Sequence, residues 1–132
     1  MNYMVYGYGS YDVDETDALD IKTVKEAEEI LDEKVMRWCE EHGIDPVEAN
    51  YDEGDHYFSF GREEHGVAIY AIYEIPDFKN EVEELIWKAK FEMDKAEYAA
   101  DDYAWTLMDC GVEQYTSKAK ELLDRAMELM NP

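Results

Sequence analysis

From Phe78 onward the apolar residues Val82, Leu85, Ala89, Met93, Ala96, Ala100, Tyr103 and Leu107 recur at spacings of three and four. The average lies close to the period of an α-helix, and no other segment of the chain carries so long a periodic signal. A second row, Phe91, Tyr98 and Trp105, falls near the opposite face. A helix apolar on two sides is expected to be sandwiched between layers. Unbroken to Cys110 it would run about 48 Å at 1.5 Å per residue, longer than a domain of this size is wide. A break near Ala99-Ala100-Asp101-Asp102 would resolve that conflict.

The remainder of the chain supplies a sheet and two further helices. Residues 2–8, NYMVYGY, are apolar on both faces and read as an inner strand. DHYFSFG and GVAIYAIYE flank REEH and read as an antiparallel hairpin, with Pro76-Asp77 ending the second strand. Between strand and hairpin, Thr23 and Glu26 have capping-box spacing. The helix they open places Val24, Ala27, Leu31, Val35 and Trp38 on one stripe and stops at His42-Gly43-Ile44. After Gly111 a last helix, with Thr116 standing where a cap would, turns Ala119, Leu122, Leu123, Ala126, Met127 and Met130 to one side. The order is β-α-β-β-α-α. The expectation is an α+β fold in one domain, 1–132, with helices packed on one face of a small antiparallel sheet.

Charge narrows the function more than any motif does. The 132 residues hold 34 Asp and Glu against 12 Lys and Arg, a formal net charge of −22. A magnitude of about 2–8 is enough to keep a small domain soluble, and the excess costs stability through self-repulsion. Cys39 and Cys110 show no metal or redox spacing and read as buried free thiols in a reducing compartment. The N-terminal MNYMVYGYGS lacks the basic-then-apolar pattern of a signal peptide, and no apolar run is long enough to span a bilayer. Anionic lipid would repel the chain, so a cytoplasmic location is expected.

The segment YGYGSYDVDETDALD, residues 6–20, poses three alternatives. Gly7 and Gly9 follow a strand as phosphate loops do, but the loop runs into acids, with no Gly-Lys-Ser/Thr ending. Glycines permitting a tight turn are the simpler reading. Asp12, Asp14, Asp17 and Asp20 offer oxygen ligands for a low-affinity calcium module. Counted from Asp12, however, the fifth, sixth and twelfth positions of an EF-hand would be Thr16, Asp17 and Thr23, which fail its pattern. His42, His56 and His65 read as solvated or capping residues, and no nucleophile with a recognisable base emerges. The expectation is a non-enzymatic protein with no cofactor.

The third alternative is a charged surface for a partner. Residues 1–21 hold five acids and no Lys or Arg, and residues 38–61 hold seven and again none. The segment 96–117 adds Glu97, Asp101, Asp102, Asp109 and Glu113, whereas the last helix and the Glu84-Lys88-Glu92 and Lys90-Asp94 rows mix signs. Acid-only loops that also carry tyrosine suit an interface with a Lys/Arg groove in which carboxylates stand in for phosphates. In size, acidity and expected fold class the chain resembles the small phage-encoded DNA-mimic inhibitors of host defence, of anti-restriction and anti-CRISPR type. That resemblance is one of composition over the whole chain, with no shared motif. It implies a basic nucleic-acid-binding partner, a nuclease, and no direct binding of nucleic acid. An immunity protein that neutralises a basic nuclease toxin has the same physical character. The residues expected to replace phosphates are Asp12, Asp14, Glu15, Asp17, Asp20, Glu48, Asp52, Glu53 and Asp55, with Tyr11 and Tyr51 as contact anchors.

Overall fold

A computed structural model describes residues 2–62, 65–106 and 112–131, the stretch 101–106 by its backbone alone. In chain order the elements are β1 (Asn2–Tyr8), β2 (Ala18–Ile21), α1 (Val24–His42), β3 (Tyr57–Arg62), β4 (Gly66–Ile75), α2 (Glu81–Thr106) and α3 (Val112–Met130). The fold is α+β. All strand pairings are antiparallel, and the sheet order is β2-β1-β4-β3. The doubly apolar strand is therefore inner, as its sequence demands. By contacts the chain gathers into two compact units, Met1–Asp77 and Phe78–Pro132.

Helix α1 begins and ends where local chemistry dictates. The Thr23 side chain, on extended backbone, accepts from the Glu26 backbone N–H at 3.2 Å. At the other end Gly43 sits at φ 64°, and the Ile44 N–H donates to the Cys39 carbonyl at 2.9 Å. This is a Schellman closure, completed by burial of Ile44 in the core. Ala27, Leu31, Val35, Trp38 and Cys39 are the buried stripe, while Val24 stands exposed at the first turn. They pack on Val5 of β1, Phe58 of β3, and Ala68 and Tyr70 of β4, side chains that alternate onto one face of the sheet.

The chain has one strand more than the sequence pattern shows. Residues 18–21 pair with β1, Tyr3 opposite Ile21 and Val5 opposite Ala18, with an irregularity between the two pairs. Four residues with an acid among them carry no period-two signal, so only pairing to β1 reveals the strand.

In the second unit, α2 runs without interruption through Ala99-Ala100-Asp101-Asp102 to Thr106, so the expected break there is absent. Leu85 and Ala89 of α2 bury against Ala119, Leu122 and Ala126 of α3. Arg125 reaches Glu81 at 3.6 Å, which makes the pair antiparallel. Thr116 is not a cap: it lies inside α3, its hydroxyl donating to the Val112 and Glu113 carbonyls at 3.0 Å. The hairpin residues Glu63 and Glu64, and Leu107, Asp109, Cys110 and Gly111 at the expected helix end, lie outside the described residues.

A Cβ at Gly43 would meet nothing within 4 Å, so only its left-handed backbone opposes substitution. Gly43→Ala should destabilise the chain by about 1 kcal/mol in urea unfolding. Gly43→Asn should cost less, because asparagine tolerates that conformation.

Candidate acidic interaction face

The loop between β1 and β2 does not extend into solvent as its charge alone suggests. It folds back across β1 and lies beside α1. The Asp14 backbone N–H donates to the hydroxyl of buried Tyr70 at 2.8 Å, and Lys34 of α1 reaches the Asp14 carboxylate at 3.2 Å and the Thr16 carbonyl at 3.0 Å. The Trp38 indole N–H donates to the Tyr11 carbonyl at 2.8 Å. His42 stacks on Trp38 with ring centroids 4.3 Å apart and places Nε2 3.3 Å from the Asp12 carboxylate. His65 stacks on Tyr11 at 4.6 Å.

This fold-back explains the glycines. A Cβ at Gly7 would lie on the Asp14 carbonyl oxygen, 2.6 Å from the Tyr70 ring and 2.8 Å from Val13. Gly9, at φ 139°, abuts the Val67 carbonyl. Close backbone approach, not a phosphate, requires them.

The second acidic loop, residues 43–56, flanks α1 on its other side. The Asp45 carboxylate accepts from the Val47 N–H at 3.0 Å, and the chain turns tightly through Pro46 to Tyr51. The Tyr51 hydroxyl donates to Asp32 of α1 at 3.2 Å, and His56 meets Glu28 at 2.8 Å. Burial, then the Asp32 charge beside it, pushes the Tyr51 phenol well above its usual range, so it remains a donor. Asp52 and Asp55 close a small turn on each other, Asp55 N–H to the Asp52 carbonyl and Asp52 N–H to the Asp55 carboxylate, both at 3.0 Å. Glu53 faces a cleft of about 370 Å³ shared with Lys25, Glu28, Glu29 and Asp32.

The two loops are thus pinned to opposite flanks of α1, and the outward side of the helix joins them. Opposite the buried stripe stand Glu26, Glu29, Glu33 and Glu40, all exposed. Between residues 12 and 55 there are 17 acids and four Lys or Arg. Two of those four are occupied within the face, Lys34 by Asp14 and Arg37 by Glu33 at 2.8 Å. The first unit carries 21 acids against five bases, the second 13 against seven. The charge is one-sided in the chain, and α1 contributes acids that a reading confined to basic-free loops passes over. Their signal was present as the 26-29-33-40 spacing.

Of the expected residues, Asp12, Asp14, Glu15, Asp17, Asp20, Glu48, Asp52 and Glu53 are exposed, and Asp55 is half-buried. Asp20 lies on the edge strand β2 at φ 58°. Tyr11 and Tyr51 correct the expectation of contact anchors: they are 5% and 3% exposed and belong to the core. Their rings follow the apolar demand of Trp38 and Phe58, which they touch edge-on at 5.1 and 5.9 Å. Asp12 and Asp14 take separate partners, His42 and Lys34, and among the described residues no group of three or more His, Cys, Asp or Glu is placed to hold a metal ion. Nor, among those residues, is any helix long and apolar enough to cross a membrane.

Asp14 has its carboxyl held below the ordinary value of 3.8, first by the Thr16 N–H that donates to it, then by the Thr16 side chain, with Lys34 adding to both. A carboxyl lowered in the folded state stabilises above its unfolded value, and the benefit disappears as pH falls through the folded one. Asp14→Asn should therefore be less stable than the parent at pH 6–7, with the difference closing below pH 3.8 in parallel urea titrations. Because the side chain is 47% exposed, solvent keeps the effect small. Gly7→Ala should cost about 2–3 kcal/mol, since the backbone of the returning loop must move.

Comparison with known proteins gives no match to a family model, to a curated protein or to a solved structure.

Proposed function

We propose that the chain is a non-enzymatic inhibitor whose acidic face occupies the basic nucleic-acid-binding groove of a nuclease, its carboxylates taking the place of phosphates. The nuclease is one of host defence, in keeping with the compositional resemblance to phage-encoded DNA mimics. The observation that carries this reading is the assembly of two acidic loops and the outer side of α1 into one face. Tight turns and ties to buried side chains hold the loops in place. Loops held in this way lose little backbone freedom on binding and give the field a defined shape. Association with a Lys/Arg groove then competes directly with nucleic acid and weakens as salt rises.

Duplex cleavage by purified guided and restriction nucleases, read with increasing amounts of the chain, tests this. Inhibition should fall with added heparin and with salt. Glu15→Lys, Glu29→Lys and Glu48→Lys, which leave every hydrogen bond of the loops intact, should each weaken inhibition by about tenfold and flatten its salt dependence. Glu121→Lys and Glu128→Lys on α3 should change it by less than about threefold. Equal effects from both sets would overturn the acidic-face reading, as would a failure to bind any basic nucleic-acid-binding protein in a salt-sensitive way.

A further inference from the structure

The two edges of the sheet are built differently. β2 is four residues long, its ladder to β1 is irregular, and Asp20 turns its backbone to φ 58°. A short, bent strand of this kind does not template another. β3 runs in unbroken register against β4, from Tyr57 opposite Ala71 to Arg62 opposite Gly66, and contains no Pro and no Lys. The Ile72 N–H donates to the His56 carbonyl at 3.0 Å. Alternation along an antiparallel ladder then turns the backbone groups of Phe58 and Phe60 toward β4, and those of Ser59 and Gly61 away from it. Among the described residues no strand pairs on that side, and no backbone hydrogen bond joins the outer groups of Ser59 or Gly61 to another of them. Both have small side chains, so the backbone is open to approach.

Charge decides what that edge accepts. The loop carrying Asp45, Glu48, Asp52, Glu53 and Asp55 leads directly into β3 and is held against it by Tyr51 on Phe58. A second copy would bring its own 21 acids against five bases to the same place, which disfavours edge-to-edge pairing of identical chains. An extended segment with Lys or Arg at alternate positions meets the opposite condition. Its backbone pairs with Ser59 and Gly61, and its basic side chains point toward the acidic loop. We propose that β3 is a strand-addition site for an extended basic segment of the partner. This rests on the acidic-face reading and adds to it the backbone pairing that charge alone does not supply.

The test uses the full chain and three synthetic peptides as long as β3. One alternates lysine with valine, one has the same charge but a central proline, and one carries glutamate for lysine. At low ionic strength the lysine-valine peptide should bind about tenfold more tightly than its proline counterpart in calorimetry. It should also slow amide exchange at Ser59 and Gly61. Ser59→Pro removes an outward N–H that β4 does not use, and should bring the two lysine peptides to within about twofold of each other. Ser59→Thr should keep the difference. Exchange in the unmutated chain decides the matter even where the proline variant folds poorly. Equal affinity for the two lysine peptides, with unchanged exchange at both amides, would overturn strand addition and leave the acidic-face reading standing. Equal binding of the glutamate peptide, or no binding of either lysine peptide, would overturn both.

Discussion

Trp38 is the residue on which the first unit turns. Its indole is 2% exposed, in edge-on contact with Tyr11 and Phe58 and stacked on His42, while its single polar group is satisfied by the Tyr11 carbonyl. Burying an indole removes roughly 150–250 Å² from water, about 4–6 kcal/mol as an upper bound. That one side chain fastens α1 to the sheet and also fixes the point at which the acidic loop after β1 comes back over it. Gly7 is the counterpart of this arrangement, since the space a side chain would need on β1 is taken by Asp14, Val13 and Tyr70.

Such fastening matters because the surface is electrostatically unfavourable by itself. Glu29 and Glu33 are one turn apart on α1, a like-charge spacing that costs a few tenths of a kcal/mol. Two of the few cations act inside the face, Lys34 and Arg37: Lys34, 13% exposed at its side chain, holds the loop through Asp14 and Thr16 and projects little positive charge outward. His56 with Glu28 and Tyr51 with Asp32 tie the other loop to the same helix. The result is a pair of acidic loops whose course is set by buried neighbours, with the repulsion among their charges offset by the core beneath them. Relief of that repulsion by a cationic partner is the physical reason to expect one.

Much of this was legible in the order of residues. The Thr23–Glu26 spacing and Gly43 located α1 to the residue at both ends, and the apolar run of β1 placed it inside the sheet. The hairpin of β3 and β4 followed from alternation and β-branched content. The short β2 was not legible, because a four-residue edge is defined by its neighbour and not by its own pattern. The break expected in α2 rested on the width of a single domain, a constraint that does not bind a helix belonging to a separate two-helix unit. Tyr11 and Tyr51 misled for a different reason. Tyrosine among acids looks like contact surface, yet the same ring serves equally to fill a core while its hydroxyl or its backbone meets a polar partner.

The excess of acid, its concentration in the first 77 residues and the positions of the helix caps are properties of the linear chain, because they depend on composition and on interactions within a turn or two. Which acids share a face depended on contacts between residues distant in sequence: Asp14 with Lys34 and Tyr70, Tyr51 with Asp32, His56 with Glu28. Those pairings exist only once α1 has docked on the sheet. Burial of the apolar stripe, which is indifferent to where the charges fall, therefore decides how the charges are finally arranged.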